Sequence, residues 1–235
     1  MEAIALQPEQ KVNKIDGLGR FIGNTPLFPI RNLNENPNVE LYAKLEWQQF
    51  GSSVKSRPAY QIIFDGLQSG KLTYDKHILD ATSGNTGIAY AHIGAALGIP
   101  VTLFMPENAS KERKTILKAL GVDLRFTPAS GGTDEAQQAA IDLNEAYPDK
   151  YFYADQYDNP SNWKAHFKRT GPEVIDQTDN RITHFVAGKG TTGTFTGTGK
   201  YLKSIRKDIQ VIGLQPDTAI HGMEGWKHLE TARVP

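Results

Sequence analysis

The chain has 235 residues, with 26 Lys and Arg against 26 Asp and Glu, a formal charge of zero that argues against binding nucleic acid by broad phosphate neutralisation. It contains no cysteine, which excludes disulfides, thiolate nucleophiles and cysteine-containing metal sites. No apolar run approaches the roughly 18 residues of a membrane span, and the start Met1-Glu-Ala-Ile-Ala-Leu-Gln-Pro lacks the basic and apolar regions of a signal peptide, so a soluble, cytoplasmic protein is expected.

In chain order, residues 39–46 (V-E-L-Y-A-K-L-E) alternate as a strand and 53–71 follow with helical spacing, Pro58 falling in the first turns where a missing N–H costs least. Next come strand 77–81 and helix 85–97, then strand 101–105 and helix 110–120, with Ser110 as N-cap and Gly121 as stop. Strand 122–127, helix 134–147, strand 151–154, helix 162–178, strand 182–187, helix 194–206 and strand 211–214 complete the series. Such alternation predicts right-handed βαβ units and an α/β fold with mainly parallel sheets, divided between two lobes. In sheets of this kind ligands lie beyond the carboxyl ends of the strands.

Three loops fall there. The first, F-G-S-S-V-K-S-R-P-A, places Lys55 at a helix start. The second, T-S-G-N-T-G, runs from Thr82 to Gly87, and the third, G-K-G-T-T-G-T, from Gly188 to Thr194. The last two have the makings of anion receptors, because glycine admits close backbone approach, hydroxyls add donors, and the following helix offers free N–H groups at its positive end. Two receptors suggest a ligand, or a ligand and a substrate, with two separate anionic groups. A lysine at a helix amino terminus has its pKa lowered if it is also buried, and a partly neutral amine suits covalent chemistry with carbonyls. The spacing of Gly188, Gly190 and Gly193 also matches the G-x-G-x-x-G dinucleotide fingerprint, which keeps an NAD(P)-binding reading open. The six histidines show no metal-ligand spacing, so no metal site is expected.

Taken together, the motifs resemble the fold-type II pyridoxal-phosphate (PLP) enzymes of the cysteine synthase and cystathionine β-synthase family. They run from I-G-N-T-P-L at 22–27 through S-S-V-K-S-R-P-A around Lys55 and T-S-G-N-T-G at 82–87. They continue with M-P-E-N at 105–108, D-Q-Y-D-N-P at 155–160, T-G-P-E at 170–173 and G-x-G-T-T-G-T at 188–194. The T-T-G-T form and V-I-G-L-Q-P at 211–216 look closest to the B-type synthases that use O-acetylserine or O-phosphoserine. The resemblance implies a two-lobe architecture like the tryptophan synthase β-subunit, with a smaller mobile lobe at 39–158 and a larger cofactor lobe from 1–38 and 159–235. It also implies that Lys55 holds PLP and acts as the base. Gly190, Thr191, Thr192, Gly193 and Thr194 would hold the cofactor phosphate, and Asn85 its phenolic oxygen. Thr82, Ser83, Gly84, Thr86 and Gln156 would bind the substrate carboxylate. The implied reaction is β-replacement, giving L-cysteine from an activated serine and sulfide or another thiol, in a homodimer.

Some positions depart from the family pattern. Ser56 stands where the family usually has aspartate, and Lys189 where a small or apolar residue is usual, with its amine expected in solvent. The glycine- and serine-rich turn that contacts the pyridine nitrogen in the family has no counterpart in 217–235, so the chain reads as truncated and its larger lobe as lacking C-terminal units. A non-catalytic paralogue acting as a binding partner, and another fold-type II lyase such as a serine/threonine dehydratase, remain open beside the synthase.

Overall fold

The computed structural model describes residues 8–82, 84–218, 222–223 and 225–229. After helix α1 (Pro8–Gly19), which the sequence reading did not anticipate, come strands β1 (Leu27–Ile30) and β2 (Leu41–Lys44). Helix α2 (Ser56–Gln68), β3 (His77–Ala81), α3 (Asn85–Leu97), β4 (Val101–Pro106), α4 (Lys111–Ala119), β5 (Asp123–Thr127), α5 (Gly132–Ala146) and β6 (Tyr151–Tyr153) follow. The last elements are α6 (Ser161–Ala165), a single π-turn (His166–Thr170), α7 (Gly171–Gln177), β7 (His184–Gly188), α8 (Gly193–Ile205) and β8 (Gln210–Leu214).

The sheets are mainly parallel. One has four strands in the order β5-β4-β3-β6, all parallel, and β7 pairs parallel with β8. The expected opening strand at 39–46 does not join them. It is shortened to β2 and pairs antiparallel with β1, Leu27 opposite Lys44 and Ile30 opposite Leu41. Pro29 hides β1 from a sequence reading, because proline removes a ladder donor and is confined to edge positions. The helix expected at 162–178 is instead α6, the π-turn and α7 in succession.

Local signals account for several boundaries. The Ser110 hydroxyl accepts the Arg113 N–H and caps α4, while Gly98 and Gly121 take positive φ values of 72° and 76° just beyond α3 and α4. The main core lies between α2, α3 and the four-stranded sheet, where Ile62, Ile63, Ile78, Tyr90, Ile93, Leu103 and Met105 are buried. A smaller cluster of Leu79, Ala81, Ala136, Ala140 and Tyr151 packs α5 on the opposite face. A third, of Val174, Leu202 and Ile209, joins α7 and α8 to β8.

Helix α6 is the junction, packed against α2 on one side and α8 on the other. Close approach there depends on Gly197, where a Cβ would lie 2.0 Å from the Trp163 carbonyl oxygen. Among the described residues no helix is long and apolar enough to cross a membrane.

Candidate active site

Lys55 immediately precedes α2, with φ −71° and ψ −14°. Its N–H is held by the Ser53 hydroxyl at 3.3 Å. Burial pushes its ammonium below the ordinary lysine value, with no carboxylate among the described residues to oppose the shift. A half-buried amine at the positive end of a helix, with no carboxylate partner among the described residues, is biased toward its neutral, nucleophilic form. The peptide leading to it is fixed by Gln49, whose amide donates to Ser53 O and Glu46 O and accepts the Gly23 N–H.

The T-S-G-N-T-G loop joins β3 to α3. Thr82 is buried and its hydroxyl accepts the Gly84 N–H at 3.2 Å, while Asn85 opens α3 on the exposed side. Ser83 lies outside the described residues. Thr86 is buried and donates to Gln156 Oε1 at 2.7 Å; Gln156 Nε2 in turn donates to Ala81 O at 3.3 Å. Two segments 70 positions apart thus become one cluster. Beneath it, the buried Asp80 carboxylate accepts N–H groups from Ala81 at 2.8 Å and Gln156 at 3.3 Å. Burial outweighs these bonds and pushes the Asp80 carboxyl up to about 7.

The third loop spans the end of β7 and the start of α8. Thr192 is left-handed at φ 61°, a conformation that costs a non-glycine residue of order 1 kcal/mol and recurs at ligand clamps. Gly193 is required by contact, since a Cβ there would lie 2.0 Å from Asn162 Oδ1. Asn162 Nδ2 donates to Thr191 Oγ1 at 2.9 Å and to Gln156 O at 2.6 Å. One turn along, His166 sets Nδ1 against Thr170 Oγ1 at 2.9 Å and Nε2 against Thr194 Oγ1 at 3.3 Å. Burial, aided by the charges of Arg57 and Lys55, holds that imidazole well below the ordinary histidine value and therefore neutral. Gly190 sits beneath Gly225 O, Trp226 packs on Gly188, and the Lys227 N–H donates to Lys189 O at 2.8 Å. Lys189 does not simply extend into solvent: it is half-buried, with its amine 5.2 Å from the centre of the Phe195 ring.

While Thr82 and Gly84 bond to each other, the structure joins Thr86, Gln156 and Thr191 in one hydrogen-bonded cluster with Asn162, which the sequence reading passed over. It also passed over His166 and the buried ionic group of Arg57, Glu46, Glu173 and Lys44. Signals were present, since Asn162 lies two positions after D-Q-Y-D-N-P and Glu173 closes T-G-P-E, but nothing local distinguishes them from helix-surface residues. A separate groove of about 610 Å³ along β6, lined by Asp65, Tyr151, Tyr153 and Ser161 among others, shares no residue with these loops. Among the described residues no group of three His, Asp or Glu is placed to hold a metal ion.

Comparison with known proteins gives the family. The family described as pyridoxal-phosphate dependent enzymes matches residues 18–234. The cysteine synthase of Aquifex aeolicus (strain VF5) is 52% identical over 219 residues, covering 92% of this chain and 67% of that protein. Cysteine synthase B of Salmonella typhimurium (strain LT2) is 39% identical over 211 residues, covering 89% and 69%. The crystal structure of cysteine synthase from Entamoeba histolytica superposes with a TM-score of 0.84 at 32% identity, covering 97% of this chain and 70% of that one. The chain therefore spans about two thirds of the length of these relatives.

The residues present suit PLP. A phosphate would find the hydroxyls of Thr191 and Thr194 and the first N–H groups of α8, beside Gly193, where a Cβ would lie 2.0 Å from Asn162 Oδ1. An aldehyde would find the Lys55 amine, which has no carboxylate partner among the described residues. With its two-lobe fold-type II architecture and this donor set, the chain belongs to the PLP-dependent enzymes, and its chemistry is β-replacement of the cysteine-synthase type.

Proposed function

We propose that the chain makes L-cysteine from O-acetylserine or O-phosphoserine, with sulfide as the incoming nucleophile. The observation that carries this reading is the half-buried Lys55 amine at the head of α2, with no carboxylate partner among the described residues. PLP, when bound, supplies an electron sink for the negative charge developed at the substrate Cα. Lys55 Nζ would hold the cofactor at rest and, once released, take the α-proton and later return it. Between those transfers the Cβ–O bond breaks, its electron pair leaving with acetate or phosphate, and a sulfide lone pair forms the new Cβ–S bond.

In this reading Gly190, Thr191, Thr192, Gly193 and Thr194 bind the cofactor phosphate and Asn85 its phenolic oxygen. Thr82, Ser83, Gly84, Thr86 and Gln156 receive the substrate carboxylate. The buried Thr86–Gln156 bond supports that role by presenting both side chains as one preformed unit. Residues 39–158 would act as the smaller lobe, closing over the site to exclude water, and 1–38 with 159–235 as the larger one. The working form would be a cytoplasmic homodimer.

The experiment supplies the protein with PLP, sulfide and either activated serine, and follows cysteine formation. Lys55→Ala is expected to abolish both the visible band of lysine-bound cofactor and cysteine production. Cysteine made at the normal rate by Lys55→Ala overturns the assignment. A keto acid formed without sulfide would point instead to a lyase.

A further inference from the structure

We propose that Asn162 is a positioning residue that couples the two anion receptors, setting the Thr191 hydroxyl as a donor toward the phosphate and transmitting occupancy of that loop to Gln156. The inference rests on the function proposed above, since it takes 188–194 as the phosphate receptor and Gln156 as part of the carboxylate receptor.

The Asn162 side chain is only 3% exposed, and both protons of its Nδ2 are committed, one to Thr191 Oγ1 at 2.9 Å and one to Gln156 O at 2.6 Å. A hydroxyl has one proton and two acceptor lone pairs. With an amide N–H satisfying Thr191 Oγ1 from behind, its own proton is left to donate outward. One helical turn away, His166 Nε2 lies 3.3 Å from Thr194 Oγ1. The amide orientation follows from chemistry: exchanging Oδ1 and Nδ2 would set two acceptors, Oδ1 and Gln156 O, 2.6 Å apart. Asn162 Oδ1 is buried without a partner and abuts Gly193. The brace therefore rests directly on the loop backbone at the start of α8.

At its other end, the brace holds a residue fixed at three further points. The Gln156 N–H donates to Asp80, its side-chain amide donates to Ala81 O, and its side-chain carbonyl accepts from Thr86. A shift of Thr191 on anion binding is thus relayed through one amide to the Gln156 backbone and on to Thr86. A continuous chain of buried bonds, Thr191–Asn162–Gln156–Thr86, connects the receptors. In an interior of low dielectric each bond is costly to break, so the chain moves as a unit.

Hydrogen–deuterium exchange of the full chain without cofactor tests this, with inorganic phosphate as the probe and chloride at matched ionic strength as control. In the wild type, phosphate is expected to slow exchange within 188–194 and also, by ~5-fold or more, within 82–87 and 156–159, the lower end of ordinary coupling between sites. In Asn162→Leu, which keeps the volume and removes the donors, protection within 188–194 persists while protection of the distant segments is lost. Unchanged exchange in β3 and β4 establishes that this variant is folded. Thr191→Val removes the acceptor instead and is expected to uncouple the loops in the same way. Distant protection that persists in both variants overturns the role of Asn162. Protection confined to 188–194 in the wild type overturns the coupling but leaves the phosphate reading standing. Absence of protection within 188–194 overturns both.

Discussion

Arg57 and Glu173, 116 positions apart, form a two-pronged ion pair in which Nη1 meets Oε1 and Nη2 meets Oε2, each at 2.7 Å. The Arg57 side chain is fully buried and also grips Glu46, while Lys44 reaches Glu173 Oε2 at 2.7 Å. The pair fastens the first turn of α2, two residues after Lys55, to α7 and to the turn at Asn24, whose N–H donates to Glu173. Removing one partner of such a group strands a buried charge. Glu173→Ala is therefore expected to destabilise the protein by roughly 3–5 kcal/mol, read from urea unfolding. An unchanged midpoint would show that the pair contributes nothing to stability.

The same carboxylate sets an acid limb. Burial pushes Glu173 upward, but the Arg57 guanidinium outweighs it and brings the pKa from 4.5 down to about 2. A group depressed in the fold contributes fully above its unfolded value and loses that contribution as pH falls through its folded one. Wild-type stability should thus fall more steeply than that of Glu173→Ala between pH 4.5 and about 2. Parallel curves across that window would contradict the linkage.

Asp80 acts in the opposite sense. Its carboxyl is raised by burial from 3.8 to about 7, so the fold favours the protonated form. Stability from this group is complete below its unfolded value and is lost as pH rises through its folded one, on the order of 4 kcal/mol across the window. Asp80→Asn, which imitates the protonated acid, should flatten the stability profile between pH 3.8 and about 7. A profile as steep as the wild type's would refute this.

Lys55 can be read without any cofactor. Competitive acetylation followed by peptide mass spectrometry yields a pH midpoint for each lysine, independent of its accessibility. The Lys55 midpoint should lie below the ordinary lysine value of 10.5, as burial requires. A midpoint at or above it would show a charged, paired amine.

Gly193→Ala places a methyl group 2.0 Å from Asn162 Oδ1, a distance that real contacts do not reach. Either the loop or α6 must shift, at a cost of about 1–3 kcal/mol. PLP affinity, measured by absorbance titration, is expected to drop ~10-fold or more, corresponding to at least 1.4 kcal/mol. The core around the buried Tyr90 should be unchanged, as read by near-UV circular dichroism. Wild-type affinity would mean the loop tolerates the methyl group.

Much of the chain was legible because its signals are local. Helix α3 was expected at 85–97 and lies at Asn85–Leu97, and both the Ser110 cap and the Gly121 stop are where side-chain chemistry and φ require them. β1 was not legible, since prolines at 26 and 29 mask its pairing with β2, and neither was the π-turn that divides α6 from α7. The third loop fits two fingerprints by spacing alone, and G-x-G-x-x-G between a strand and a helix could not separate dinucleotide from phosphate recognition.

Length bounded the chain to one or two α/β lobes, and the absence of cysteine excluded a thiolate nucleophile. Motif order along the chain carried the family, because turns and helix starts are written in adjacent residues. The tertiary structure alone decided which side chains meet: Arg57 with Glu173, Thr86 with Gln156, and Asn162 with both Gln156 and Thr191. Most of these partners lie tens of positions apart, and burial gives their hydrogen bonds a strength and a direction that spacing does not encode.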